Sequence, residues 1–426
     1  MSGGFDALAA RLVGPLAEVR RAELRDGGDE ADCIERPAAA VVLGAVAEPG
    51  DGVLGRLVNL FGPVAAATLL LDRPSTPQLV AAFRAAGESL DGRTARAAVE
   101  RWVPRIDPRA IVASVVQAAR VGARFVVPSD PIWPSAVDDL GDHAPFGLWV
   151  RGRAEAITPS EQAIALVGAR AATGYGELVA GEVAGGLSAR GFVIVSGGAY
   201  GIDGAAHRAV LRRKGTTVAF LAGGVDRFYP TGHERLLTDI AGTGAVVSEM
   251  PCGAAPTRWR FLQRNRLIAA ATAATVVLEA GARSGSLNTA GHAAALGRPL
   301  GAVPGPVTSP SSTGCHRLLR EFDAVCVTDV AQVAELVTGE CEPTATAMTD
   351  PTPEETRVLD ALSAQRPRTV DDIARRAGLP PGRVMGVLAG LELADRARRR
   401  EDGWVARRAE QRGRNSRNAG RSDGSG

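Results

Sequence analysis

Apolar positions in the first 120 residues recur at helical spacing. Leu12, Leu16 and Val19 lie on one face, an apolar stretch over 53–71 is interrupted at Gly62-Pro63, and two more stretches follow at 78–86 and 94–103. Apolar residues three and four apart mark a helix face, and Gly/Pro pairs end helices. The segment 1–120 is read as a small bundle of short helices, of the helix-hairpin-helix (SAM-like) kind. From about residue 123 the period changes. Short strands are expected at 125–128 and 148–151, around the turn Asp130-Pro131-Ile132-Trp133-Pro134. Apolar runs at 163–167, 192–195, 217–221, 245–248, 274–279 and 300–303 then alternate with helical stretches at 174–190, 203–213, 234–241, 261–270 and 286–296. Strands apolar at every position are covered on both faces. The fold class is therefore α/β: an extended Rossmann-like, doubly wound, mostly parallel sheet over 121–338.

Beyond 338 the pattern changes again. A linker is expected at 339–352. Helical stretches at 354–364, 370–377 and 383–393 follow, with Thr369-Val370-Asp371-Asp372 as a helix start and Gly378-Leu379-Pro380-Pro381-Gly382 as a turn. Residues 396–406 suit a two-stranded wing with Trp404 against the helices, which makes 353–408 a winged-helix domain. The polar, Arg-bearing stretch 409–426 is expected to be a disordered tail.

Composition narrows the function classes. The 426 residues carry 49 basic and 47 acidic side chains, a net charge of +2, so any polyanion site must be a local patch. Apolar residues make up 45 % and charged residues 23 %, which excludes wholesale disorder. The longest apolar runs fall short of a membrane span, no basic-then-apolar leader opens the chain, and five scattered cysteines form no CxxC. A cytoplasmic protein without membrane insertion, disulfide framework or metal site is expected. Lys214 is the single lysine, so a role in ligand binding is expected of it.

Candidate chemistry gathers at the strand ends. In an open α/β sheet, ligands bind beyond the carboxyl ends of the strands. Here those ends carry Gly168-Ala169-Arg170, Ser196-Gly197-Gly198, Gly223-Gly224-Val225-Asp226, Glu279-Ala280-Gly281-Ala282-Arg283-Ser284-Gly285-Ser286 and Pro304-Gly305-Pro306. Glycines let backbone N–H groups approach an anion, and helix N-termini favour it, so a phosphate-bearing ligand is expected. A P-loop is missing, the first turn lacks G-x-G-x-x-G, and no acid closes the second strand, which disfavours nucleotide triphosphates and redox cofactors. No cofactor is expected. Arg258, Arg260, Arg264 and Arg266 interleave with Trp259 and Phe261. Single strands are gripped that way, by stacking rings and phosphate-tracking guanidinium groups. An arginine run in solvent over two buried aromatics fits the spacing equally well. No catalytic residues are assigned: Asp203 is expected to cap its helix, and His207 to pack or hydrogen-bond one turn on.

These blocks resemble the DNA-processing protein A (DprA/Smf) family. The resemblance rests on Val167-Gly-Ala-Arg170, Ser196-Gly-Gly-Ala-Tyr-Gly-Ile-Asp203 with Ala206-His207, Gly223-Gly-Val-Asp226 with Tyr229-Pro230, Arg264-Asn-Arg-Leu-Ile268, Glu279 through Thr289, and Pro304-Gly-Pro306. Leu262 stands where the family usually has proline, and His233 and His316 where it has asparagine. The resemblance implies a homodimer that binds single-stranded DNA, helps load the RecA recombinase in recombination and natural transformation, and catalyses no reaction. It implies Arg170, Ser196, Gly197, Gly198, Lys214, Arg264, Asn265 and Arg266 as DNA-binding residues, to which the strand-end and aromatic–arginine readings add Phe261, Arg283 and Ser284. The alternative is a nucleotide N-glycosidic hydrolase on the same fold, with Glu279 as the acid and Arg283 as the phosphate clamp. A third reading, the winged helix as a double-stranded-DNA regulator, is poorly served by a third helix whose one base is Arg383.

Overall fold

A computed structural model describes residues 4–20, 30–158, 160–340, 352–393, 396–400 and 402–407. The chain divides into two compact units, Met1–Glu342 and Pro343–Gly426.

In the first unit, seven α-helices come first among the described residues: α1 Gly4–Val19, α2 Glu30–Val46, α3 Gly52–Phe61, α4 Pro63–Leu71, α5 Thr76–Ala85, α6 Gly92–Trp102 and α7 Pro108–Arg120. Short side chains start them. Asp51, Asp91 and Asp107 each accept two backbone N–H bonds at the heads of α3, α6 and α7. The bend between α3 and α4 falls at Gly62, with Pro63 at the first helical position.

The sheet follows. Its parts in chain order are β1 Ala123–Val126, β2 Leu148–Gly152, β3 Ala163–Gly168, α8 Gly174–Ala189, β4 Val193–Gly197, α9 Ile202–Arg212, β5 Thr217–Phe220, α10 Glu234–Thr243, β6 Ala245–Ser248, α11 Arg258–Ala270, β7 Ala274–Glu279, α12 Ser286–Ala295, β8 Leu300–Ala302, α13 Thr313–Glu321, β9 Val325–Cys326 and α14 Val330–Thr338. Among the described residues the sheet has nine strands in the order β1-β2-β6-β5-β4-β3-β7-β8-β9. β1 and β2 run antiparallel to their neighbours, and the remaining pairs are parallel. From β3 the chain winds outward through β4 and β5 to β6, then returns to the other side of β3 as β7. That reversal places the topological switch point between β3 and β7.

The helical segment ends at Arg120, but it is not a separate body. Its core, with Leu12, Leu43, Leu57 and Trp102, is continuous with Trp149, Leu221, Ile240 and Val246 on one face of the sheet. Arg20 and Asp130 pair across the junction at 2.7 and 2.8 Å, both buried, and Arg20 also donates to Phe125 O at 3.0 Å. Periodicity located α1 and α3 to α6 but not α2 or α7, and only the third dimension shows what the apolar faces cover. The short edge strand β9, two residues long, was not anticipated.

The second unit holds α15 Pro353–Ala361, α16 Val370–Ala377, α17 Pro381–Leu393 and a hairpin of β10 Ala397–Arg400 with β11 Gly403–Ala406. Thr369 caps α16 as read. Trp404 packs with Val358, Ile373, Val384 and Leu388. This is a winged helix. Its Arg383 is paired with Glu354 at 3.0 Å. The expected tail lies outside the described residues, as does most of the linker. Among the described residues no helix is long and apolar enough to cross a membrane.

Candidate nucleic-acid interface

A cavity of about 620 Å³ opens at the β3–β7 switch point. Strand-end turns and the helices that follow them build it. The β3–α8 turn contributes Gly168–Ala171, the β7–α12 turn contributes Gly281 and Arg283–Ser286, and the start of α9 contributes Asp203. Phe261, Arg264, Asn265 and Ile268 project from α11. Spacing explains the last group, since positions 261, 264, 265 and 268 share one helix face.

Two cations stand in the lining with their heads in solvent. Arg170 and Arg283 are both exposed. The Arg170 guanidinium lies 4.8 Å from the centre of the half-buried Phe261 ring, a cation–π contact that holds the group in place while leaving its N–H groups in water. Tyr229 extends the aromatic surface, its ring 5.8 Å from that of Phe261, and it is 49 % exposed.

The floor is polar and buried. Burial lowers the Arg264 pKa to about 10, Asp203 opposes that shift, and Arg170 reinforces it. Burial also raises the Asp203 pKa, with Arg264 opposing. The two groups flank Gly197, where an added Cβ would lie 2.6 Å from an atom of each. Below the turn, His207 is fully buried. Its Nε2 sits 2.8 Å from Gly197 O and its Nδ1 2.7 Å from Thr217 Oγ1. Burial drives the His207 pKa down to about 4, so the ring is neutral at pH 7. Its hydrogen bonding is as read. Asp203 is not the helix cap: Gly201 occupies that position, and Asp203, two residues on in the first turn, accepts from Ala199 N–H at 3.3 Å.

The residues proposed from sequence separate into three groups. Arg170, Phe261, Arg264, Asn265, Arg283 and Ser284 are brought together around the cavity. Ser196, Gly197 and Gly198 lie beside it but face inward. Ser196 is fully buried and donates to Leu166 O at 2.6 Å, while the carbonyls of Gly197 and Gly198 meet His207 and His233. Arg266 and Lys214 lie elsewhere. Arg266 is 2 % exposed and makes a two-pronged bond to Glu249, 2.7 Å on each prong. Lys214 follows α9, which runs from the carboxyl edge of the sheet to its amino edge. Eleven residues of helix separate Lys214 from the cavity edge, about 16 Å at 1.5 Å per residue. Neighbouring Gly215 touches Ser188 near the end of α8, also at that edge. Arg170 and Lys214, both expected to bind DNA, therefore lie at opposite edges of the sheet.

The arginine run on α11 divides in the same way. Arg260 is held by Glu48 and Arg266 by Glu249, while Arg258 and Trp259 are exposed, Trp259 at 56 %. Glu279, the acid of the hydrolase alternative, accepts from Thr173 N–H at 2.8 Å and Thr173 Oγ1 at 2.6 Å and does not line the cavity. Tyr229, Ser286 and Thr289 were missed as site residues. The Tyr229-Pro230 pair was the available signal for the first of them.

The DNA recombination-mediator protein A family model matches residues 124–338, and a DprA winged-helix model matches 342–403. The chain belongs to the DNA recombination-mediator protein A family. Membership places it in DNA processing, and the matched span holds every residue of the cavity. A Mycobacterium tuberculosis protein named for DNA processing, DprA, is 44 % identical over 384 residues, covering 86 % of this chain and 93 % of the relative. Protein Smf of Escherichia coli is 35 % identical over 271 residues, covering 62 % of this chain and 70 % of Smf. The X-ray structure of DprA from Streptococcus pneumoniae superposes with a TM-score of 0.55 at 28 % identity, covering 72 % of this chain and 98 % of that one.

Proposed function

We propose that this family member is a cytoplasmic, non-enzymatic mediator that binds single-stranded DNA at the β3–β7 cavity and, as a homodimer, helps load the RecA recombinase in recombination and natural transformation. The observation that carries the DNA part is the exposed Arg170 guanidinium seated on the Phe261 ring, with Arg283 also in the cavity lining. Stacking surfaces among cations suit an unpaired strand, whose bases are free to stack, better than a duplex. Arg283 and Ser284, beside the N-terminus of α12, add donors for phosphate. The RecA and dimer parts rest on family membership. Glu279, with both oxygens taken by Thr173, does not favour the N-glycosidic alternative.

The test is titration of a fluorescent oligo-dT against a matched duplex at two ionic strengths. Tight binding of the single strand, falling steeply with salt, is expected. Equal affinity for the duplex, or none for oligo-dT, would refute the reading.

A further inference from the structure

α11 has a second face. Arg260, Gln263 and Arg266 recur every three residues, so they lie together, centred on the side turned away from Phe261 and Asn265, with Arg264 bordering Arg260 one turn on. Arg260 Nε and Nη2 each donate to a Glu48 oxygen at 3.0 Å, and Nη1 donates to Ala255 O at 2.7 Å. Glu48 also pairs with Arg105. Gly50, two residues on, has a φ of +72°, and a Cβ there would lie 2.7 Å from Gln263 Oε1 and 3.1 Å from Arg266 Nε. Arg266 Nε donates to His143 O at 3.0 Å, and His143 Nδ1 lies 2.8 Å from Gly50 O.

Glu48 and Gly50 form the link between α2 and α3. They belong to the helical segment, outside the span of the family's central model. The Arg260 and Glu48 side chains are 16 % and 21 % exposed, so their pairing is partly shielded from water. Burial works against the Glu48 charge, yet Arg260 and Arg105 hold its carboxyl below the ordinary value. A planar guanidinium fork on a carboxylate fixes orientation as well as distance.

We infer that the helical segment is a positioning brace for the nucleic-acid site. Glu48 and Gly50 grip one face of α11, and the helix so fixed keeps Phe261 under Arg170 and Arg264 beside Asp203. Glu48 is a positioning residue, since it touches neither the cavity nor a ligand. The inference rests on the DNA reading for its functional consequence and on α11 alone for its mechanical one.

Two variants of the full chain conserve every charge. Glu48→Asp shortens the acid by one methylene, and Arg260→Lys keeps the cation but loses the fork. Each is expected to weaken oligo-dT binding about fivefold at every ionic strength, the loss of one charged hydrogen-bond pair, with the slope of log K on log salt unchanged. Amide hydrogen exchange over 258–263 should also quicken in both. Unchanged affinity with unchanged exchange overturns the brace. Tighter binding in Glu48→Asp, or a reduced salt slope in Arg260→Lys, also overturns it, because Arg260 is then a phosphate ligand that Glu48 masks. Should the wild-type chain not bind oligo-dT at all, the DNA reading fails, and the exchange data still decide whether Glu48 holds α11.

Discussion

The two edges of the central sheet both carry exposed cations, but only one edge is built to use them. At the carboxyl edge, Arg170 rests on a ring, Arg283 shares the cavity lining, and buried polar groups form a floor. At the amino edge, Arg212 ends α9 and Arg213 and Lys214 follow it. Cations there complement the negative end of the helix dipole. Lys214 adopts the left-handed conformation, φ +57°, as the α9 to β5 turn closes. Among the described residues no aromatic ring forms a cation–π contact with it. The lesson concerns rarity: a lone lysine among arginines looked informative, yet its position in the fold explains it as a helix-end residue. What separates the edges is the convergence of loops at the switch point.

Three measurements can break that contrast, in order of expected size. Arg170→Glu removes one phosphate partner and adds a repulsion, so oligo-dT affinity at low salt should fall about 30–100-fold, and the salt slope should shrink by about 0.7 or more. A change below threefold would move the site elsewhere. Phe261→Ala removes both the seat of Arg170 and a stacking surface, so a loss of about tenfold is expected, within the range of one stacked base. Here the salt slope should stay put, which separates the ring from the charges.

The third measurement concerns the footing of the carboxyl edge. The folded state holds His207 neutral, with a pKa of about 4 against 6.5 for the free side chain. Between those values the unfolded chain binds more protons, so stability is complete above about pH 6.5 and is lost as pH falls toward 4. Thermal unfolding should therefore occur at lower temperature at pH 5 than at pH 7, and His207→Gln should show a smaller difference between the two. An identical pH dependence in the variant would show that His207 does not set it.

Much of the architecture could be read from periodicity. The strands β6 and β7 and the helix α16 fall where the apolar pattern put them, because fully buried strands and an amphipathic helix leave unmistakable periods. The short β9 leaves no period to detect. The site was read less evenly. Glycine at strand ends suggested a phosphate cradle, but at Gly197 and Gly223 the absence of a side chain is required by Arg264 with Asp203, and by Ala254 with Pro256. Arginine spacing on α11 could not show which guanidinium groups are already taken, because Glu48 lies 212 residues from Arg260 in sequence. Arg266 and Lys214 were misplaced for related reasons. One has a buried partner on another element, and the other lies a helix length from the edge it was assigned to.

The most direct test compares two charge reversals in one assay. Arg170→Glu and Lys214→Glu each change the net charge by two, but the account places only Arg170 at the site. At physiological salt Lys214 lies beyond a Debye length of about 8 Å from the cavity edge. With fluorescent oligo-dT at physiological salt, Arg170→Glu should bind far more weakly than wild type, and Lys214→Glu should stay within about twofold of it. Equal losses in the two variants, or a larger loss at Lys214, would contradict a binding site at the β3–β7 switch point.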